Sequence, residues 1–272
     1  MVYVELDSLG ATLAGDVFEP EDYNGAAVVL CHGFGTDRTE LYDLAEALQD
    51  EGFVVLAYDG RAHGQSGGSF HLDTMVDDVH AARRFLEDHY DVDKCGVFGH
   101  SFGGYLAVRA AAETEGFDAT VSWATPISIR ETLRDLQWNF EYMNWFVEEF
   151  AGSLHYASSY RKMRIDDMGA FLGELYDRDQ TKITETVSRP DTPPSTFIYG
   201  ELDKVVKYRH AEEIGGVLGG KGELVTVAGA GHSCLRSHTE PPFYLPEPDR
   251  PEARRQVVDT VVDRFKHYLT GG

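Results

Sequence analysis

Apolar residues along this chain fall into two alternating rhythms. Short continuous runs, Ala26–Cys31, Phe53–Tyr58, Cys95–Phe98, Ala119–Ala124 and Thr196–Tyr199, have the pattern of strands buried on both faces of a parallel sheet. Between them the period lengthens. Leu41, Leu44, Ala45 and Leu48 recur at helical spacing and stop before Gly52, and Val76, Val79, Phe85 and Leu86 mark a second helix starting near Asp73. Tyr105–Ala112 is rich in strong helix formers, Ala211–Leu218 predicts a further helix, and Glu223–Val227 predicts a last strand. Val257, Val258, Val261, Val262, Phe265 and Leu269 define the final helix, with Pro251 near its start. At the N-terminus, Val2–Leu6 and Ala11–Phe18 flank a Ser8-Leu9-Gly10 turn signal and predict an antiparallel edge hairpin. The expectation is an α/β fold with a mostly parallel central sheet flanked by helices, and a right-handed crossover between the runs at 26 and 53.

The alternation stops after Pro126. From 127 to about 190 the periodicity is helical without intervening strands, and it breaks at Pro190 and Pro193-Pro194. This predicts a core domain of residues 1–126 and 191–272 carrying a helical cap insertion at 127–190. Within it Leu133, Leu136, Phe140, Met143, Phe146 and Phe150 form one apolar stripe, and Trp138, Tyr142 and Trp145 form another on a different face. A helix apolar on two faces buries both or lines a cavity. Trp138, Tyr142 and Trp145 are therefore candidates for substrate binding, against the plainer alternative that they are cap core.

Charge narrows the partners. The chain has 46 Asp and Glu against 24 Lys and Arg, a formal net charge of −22, which argues against nucleic acid or an anionic membrane. Small molecules are the expected partners. The basic residues are 17 Arg and 7 Lys, an acidic, lysine-poor balance of the kind carried by salt-adapted proteins. The first residues lack the basic and apolar regions of a leader, and no apolar run reaches the roughly 18 residues of a membrane span, so a cytoplasmic protein is expected. Cys31, Cys95 and Cys234 are odd in number and lack metal-type spacing, which fits reduced thiols. Oligomeric state is not readable.

Candidate chemistry centres on Gly99-His-Ser-Phe-Gly-Gly-Tyr105, where a buried strand turns into a helix. Serine in such a turn presents its hydroxyl, and glycines on either side let strand and helix approach. A serine hydroxyl needs a histidine to take its proton and a carboxylate to orient the imidazole. Asp203 follows the strand ending at Tyr199, and His232 follows the last predicted strand, giving the order Ser101, Asp203, His232. Negative charge on a reacting carbonyl requires preset donors. Backbone N–H groups of Phe102, at a helix start, and Phe34, in His32-Gly-Phe-Gly35, are the candidates, with His32 expected to fix that loop. No dinucleotide fingerprint, phosphate loop or zinc motif occurs, and neither cofactor nor metal is expected.

These segments, His32-Gly-Phe-Gly35, Asp59-Gly-Arg-Ala-His-Gly-Gln-Ser66, Gly99-His-Ser-Phe-Gly103, Gly200-Glu-Leu-Asp203 and Gly231-His232, resemble the α/β-hydrolase superfamily. The insertion after the sixth strand is similar to the cap of the cinnamoyl and feruloyl esterase-like branch, and serine aminopeptidases and monoacylglycerol lipases share much of the pattern. The resemblance implies that Ser101, Asp203 and His232 are a catalytic triad and that the protein is a serine hydrolase of carboxylesterase type. It departs from the pattern at Ala62, where glycine is usual, and at Phe102. The expected substrate is an ester of a small to medium, aromatic-tolerant acyl group. The alternatives are an aminopeptidase, which would need cap carboxylates such as Glu148, Glu149, Asp166 or Asp167 to grip an amine, a monoacylglycerol lipase, and a catalytically silent receptor on the same fold.

Overall fold

The computed structural model describes residues 1–137, 163–176, 181–235 and 250–271. Val2–Ser8 (β1) and Ala11–Phe18 (β2) pair antiparallel from Val2 opposite Val17 to Ser8 opposite Ala11. Leu9 and Gly10 between them both have positive φ, 51° and 78°, as a two-residue type I′ hairpin turn requires. Ala26–Cys31 (β3), Val54–Tyr58 (β4), Lys94–His100 (β5), Ala119–Trp123 (β6), Ser195–Gly200 (β7) and Gly222–Val227 (β8) complete an eight-stranded sheet in the order β1-β2-β4-β3-β5-β6-β7-β8. From β4 to β8 every pairing is parallel, and β2 joins β4 antiparallel.

Alternate residues of the central strands feed two cores. Ala27, Val29 and Cys31 of β3 pack with Leu72–His89 (α2) and Phe102–Glu113 (α3). Ala26, Val28 and Leu30 pack on the other face, with Tyr42–Asp50 (α1). Several helices follow in chain order: Ile129–Gln137 (α4), Met168–Tyr176 (α5), Ile183–Val187 (α6), Arg209–Gly215 (α7) and Pro251–Phe265 (α8). The last shares the face of α1 and continues in a wider π-type turn, Lys266–Thr270, that buries Leu269. Helix α7 ends earlier than its apolar pattern predicts, because Gly215-Gly216 is a poor helix continuation. Strand β5 runs three residues longer than its apolar run, since Lys94 pairs with Ala26 at its start and Gly99 and His100 pair with Cys31 or with β6 at its end.

Between β6 and β7 the described residues form α4, α5 and α6 and no strand. Several contacts hold this segment to the core. Phe171 and Leu175 of α5 are buried in the α2/α3 core. The Glu174 carboxylate accepts a bond from Leu72 N at the start of α2, at 3.2 Å. Arg164 N donates to Ala62 O at 2.7 Å. Glu131 and Asp135 of α4 meet Arg209 at 3.1 and 3.0 Å, and Lys182 meets Glu131 at 2.8 Å. The candidate substrate residues Trp138, Tyr142 and Trp145, and the stripe from Phe140 to Phe150, lie outside the described residues.

Candidate active site

Ser101 sits between the end of β5 and the first residue of α3, with φ 54° and ψ −117°. A side chain held in that region is strained, and the strain is tolerated because neighbours determine the backbone. Ser101 N donates to Trp123 O at 2.8 Å, and Ser101 O accepts from Tyr105 N at 3.0 Å. A Cβ on Gly99 would stand 2.2 Å from Gly103 O, and one on Gly103 would stand 2.2 Å from Cys31 O. Glycine is therefore obligatory where α3 crosses the strands, and that close crossing lifts the serine hydroxyl above the sheet.

Asp203 lies in the turn after β7. Its Oδ1 accepts bonds from Val205 N at 2.8 Å and Val206 N at 2.9 Å, leaving Oδ2 facing His232 Nδ1 at 2.8 Å. His232 follows β8, and its carbonyl oxygen accepts bonds from Trp123 Nε1 and His100 Nε2, each at 3.0 Å. Its Nε2 is 2.9 Å from Ser101 Oγ. A carboxylate can only accept, so the hydrogen of His232 lies on Nδ1, and the Nε2 lone pair faces the serine hydroxyl. Asp203 and His232 are buried while Ser101 is half-buried, so the hydroxyl alone reaches toward solvent. The structure thus brings together three residues separated by 102 and 29 positions in the chain.

Phe102 opens α3, so its N–H is one of the amides a helix leaves unpaired at its start. Phe34 lies in the loop after β3, which several side chains hold. His32 Nδ1 bonds Gly33 O at 2.8 Å, and His32 Nε2 accepts from Gly60 N at 3.0 Å. His63 Nε2 accepts from Gly35 N at 3.3 Å, with Nδ1 on Arg61 O at 3.0 Å. Burial, and secondly the nearby His32, lowers the His63 pKa to about 3, which keeps this ring neutral and able to accept. The rings of Phe34 and Phe102 join Phe70 and Phe171 in one cluster: Phe34 to Phe102 is 5.6 Å edge-on, Phe70 to Phe102 5.8 Å stacked, and Phe70 to Phe171 5.0 Å edge-on. Glu40, His63, Phe70, His100 and Phe171 contribute to the site without having been singled out as site residues by sequence. His63 and His100 stood inside quoted motifs, whereas Glu40, Phe70 and Phe171 carry no local signal.

Among the described residues no group of three His, Cys, Asp or Glu side chains is arranged to hold a metal ion. Cys31 and Cys95 are buried, and burial pushes the Cys31 thiol up to about 12. Cys234 is half-buried.

The sequence profile of the family described as Serine aminopeptidase, S33 matches residues 23–187. The chain belongs to that family. The matched segment contains Phe34, Ser101 and Phe102 and ends before Asp203 and His232. A polyketide transferase of Aspergillus fumigatus is 35% identical over 126 residues, which are 44% of this chain and 42% of that protein. A monoacylglycerol lipase of Mycolicibacterium smegmatis is 30% identical over 112 residues, 39% of this chain and 40% of that protein. The chain thus aligns with less than half the length of these curated relatives. The solved structure of an esterase from Pyrococcus furiosus superposes with a TM-score of 0.71 at 22% identity, covering 98% of this chain and 91% of that one. The family and this fold make the protein an α/β hydrolase. No helix among the described residues is long and apolar enough to cross a membrane.

Proposed function

We propose that the protein is a serine hydrolase of carboxylesterase type, acting on small-molecule esters through an acyl-enzyme. The observation that carries this reading is the unbroken contact chain from Asp203 Oδ2 through His232 to Ser101 Oγ, at 2.8 and 2.9 Å. Ser101 Oγ attacks the ester carbonyl carbon as its proton passes to His232 Nε2. Asp203 supports the imidazolium that forms. The backbone N–H groups of Phe34 and Phe102 receive the oxyanion, each such donor being worth about 3 kcal/mol. His232 then returns the proton to the departing alkoxide, the C–O bond breaks, and an alcohol leaves an acylated serine. Water repeats the sequence, giving up a proton to His232 and releasing a carboxylic acid. No cofactor enters any step.

The four-phenylalanine cluster beside the two amides supports apolar or aromatic acyl groups, and the monoacylglycerol lipase likeness supports an ester as substrate. The aminopeptidase alternative requires free carboxylates over the site. Of the candidates within the described residues, Asp167 Oδ1 accepts from Ala170 N in the first turn of α5, and Asp166 accepts from Ser69 Oγ. Glu131 and Asp135 are engaged by Arg209 and Lys182. These engagements favour esters. Residues 127–190 act as a cap over the serine in this reading, and the protein works in the cytoplasm. Hydrolysis of p-nitrophenyl acetate and butyrate by the wild type and by Ser101→Ala tests it, with fluorophosphonate labelling alongside. Loss of both turnover and label in the variant is expected; equal turnover in the two proteins overturns the mechanism.

A further inference from the structure

Glu40 lies in the turn Arg38–Leu41 ahead of α1 and takes no part in the steps above. Its side chain is nevertheless 3% exposed, in contact with a His100 side chain that is 1% exposed. Burying two ionisable groups is costly unless their bonds are well used. Glu40 Oε2 accepts from Gly33 N at 2.7 Å and from the Thr36 hydroxyl at 2.8 Å, both on the loop that carries Phe34. Glu40 Oε1 is 3.2 Å from His100 Nδ1. His100 immediately precedes Ser101, and its Nε2 is 3.0 Å from His232 O.

The hydrogens follow from the partners. A carbonyl oxygen only accepts, so His100 Nε2 carries a hydrogen. Its Nδ1 lies 3.2 Å from Glu40 Oε1, in a contact too poorly aligned for a straight hydrogen bond. These contacts end on segments that present a reacting group: the Phe34 loop, the turn bearing Ser101 and the backbone of His232.

We infer that Glu40 and His100 are positioning residues of the hydrolase, locking the Phe34 amide and the His232 imidazole onto Ser101. This rests on the proposed hydrolase function. Glu40 carries the loop end of the strut, and His100 carries the end at His232. Neither touches substrate.

The experiment measures kcat and KM for p-nitrophenyl butyrate, with thermal melting, in the full chain and its variants. Glu40→Gln keeps an oxygen for Gly33 N–H and Thr36 but removes the carboxylate from His100. Its kcat should fall about 10- to 100-fold, as a misplacement of about 1 Å does, with KM within about threefold. His100→Gln retains an amide donor for His232 O and should show the same split between kcat and KM. In the double variant Glu40→Gln/His100→Gln the loss of kcat should be smaller than the product of the two single losses, because the two side chains act as one strut. A structural role alone would lower the melting temperature without confining the kinetic loss to kcat.

If His100→Gln does not fold, Gly33→Ala substitutes for it. A Cβ there would stand 3.1 Å from His100 Nδ1 and 3.2 Å from Glu40 Oε2, so it should lower kcat with little change in KM. Wild-type kcat in Glu40→Gln, or in folded His100→Gln, overturns the inference while leaving the hydrolase reading intact. A folded wild type with neither turnover nor fluorophosphonate label overturns both.

Discussion

Two buried histidine and carboxylate pairs stand side by side in this molecule, with their rings 5.0 Å apart. In one, Asp203 Oδ2 meets His232 Nδ1 at 2.8 Å; in the other, Glu40 Oε1 meets His100 Nδ1 at 3.2 Å. Residue chemistry and burial are alike. They differ in what the far nitrogen faces. His232 Nε2 faces a serine hydroxyl, which can give up a proton, whereas His100 Nε2 faces a carbonyl oxygen, which cannot. An imidazole acts as a general base only through a nitrogen that faces a group able to give up a proton; with a carbonyl at that nitrogen it can only hold position. The geometry of the near contact agrees, aligned in the first pair and misaligned in the second.

The contrast is broken most severely at Asp203. In Asp203→Asn the amide oxygen would stay on Val205 N and Val206 N, turning the NH2 toward His232 Nδ1. That forces the hydrogen onto Nε2, where it can no longer accept the serine proton, and kcat should fall about 10,000-fold with melting little changed. Steady-state hydrolysis of p-nitrophenyl butyrate checks this, and the corresponding change in the other pair, Glu40→Gln, should cost far less.

Salt separates the buried pairs from the surface. With a net charge of −22, self-repulsion is screened by added ions, while buried pairs are screened little. Melting temperature should rise steeply from low to molar KCl, as followed by circular dichroism; a flat response removes the reading of a salt-adapted surface.

Acid sharpens the comparison through a third kind of buried histidine. His63 has backbone groups on both nitrogens, and burial lowers its pKa to about 3; for His210, burial and then Arg209 lower it to about 4. Each folded-state value is below the ordinary 6.5, so the unfolded chain binds more protons in this range and stability declines as pH falls from 6.5 toward 4 and then 3. His63→Gln, whose side-chain oxygen can still accept from Gly35 N, should flatten the dependence of melting temperature on pH between 6.5 and 4.

The smallest effect is expected at Ala62, buried with φ 64° in the loop whose His63 braces the Phe34 segment. Ala62→Gly should relieve a strain of about 1 kcal/mol, partly offset by the greater freedom of glycine in the unfolded chain. Denaturant unfolding should show a small gain in stability without a change in kcat.

Much of this was legible in the chain. Continuous apolar runs marked β3, β4, β6 and β7, and helical spacing marked α1, α2 and α8, because burial on one face imposes a local period. The hairpin was announced by its turn, and Ser101, Asp203 and His232 each followed a strand in a telling order. Boundaries were less legible where glycine intervened. Gly99 lengthened β5 without contributing hydrophobicity, and Gly215-Gly216 cut α7 short. The aromatic stripe at Trp138, Tyr142 and Trp145 is a pattern in the sequence whose facing partner no period specifies.

By itself the sequence determined the elements, their alternation, the serine turn and the candidate acid, base and amides around it. Those depend on residue type and on neighbours a few positions away. Only the tertiary structure decided which histidine meets the serine and which faces a backbone carbonyl instead, and that Phe70 and Phe171 stand beside Phe34 and Phe102. Residues 40, 100 and 232 meet because the order β4-β3-β5-β6-β7-β8 draws the strand-end loops together. No periodicity encodes that meeting, since it is set by how strands far apart in the chain pair.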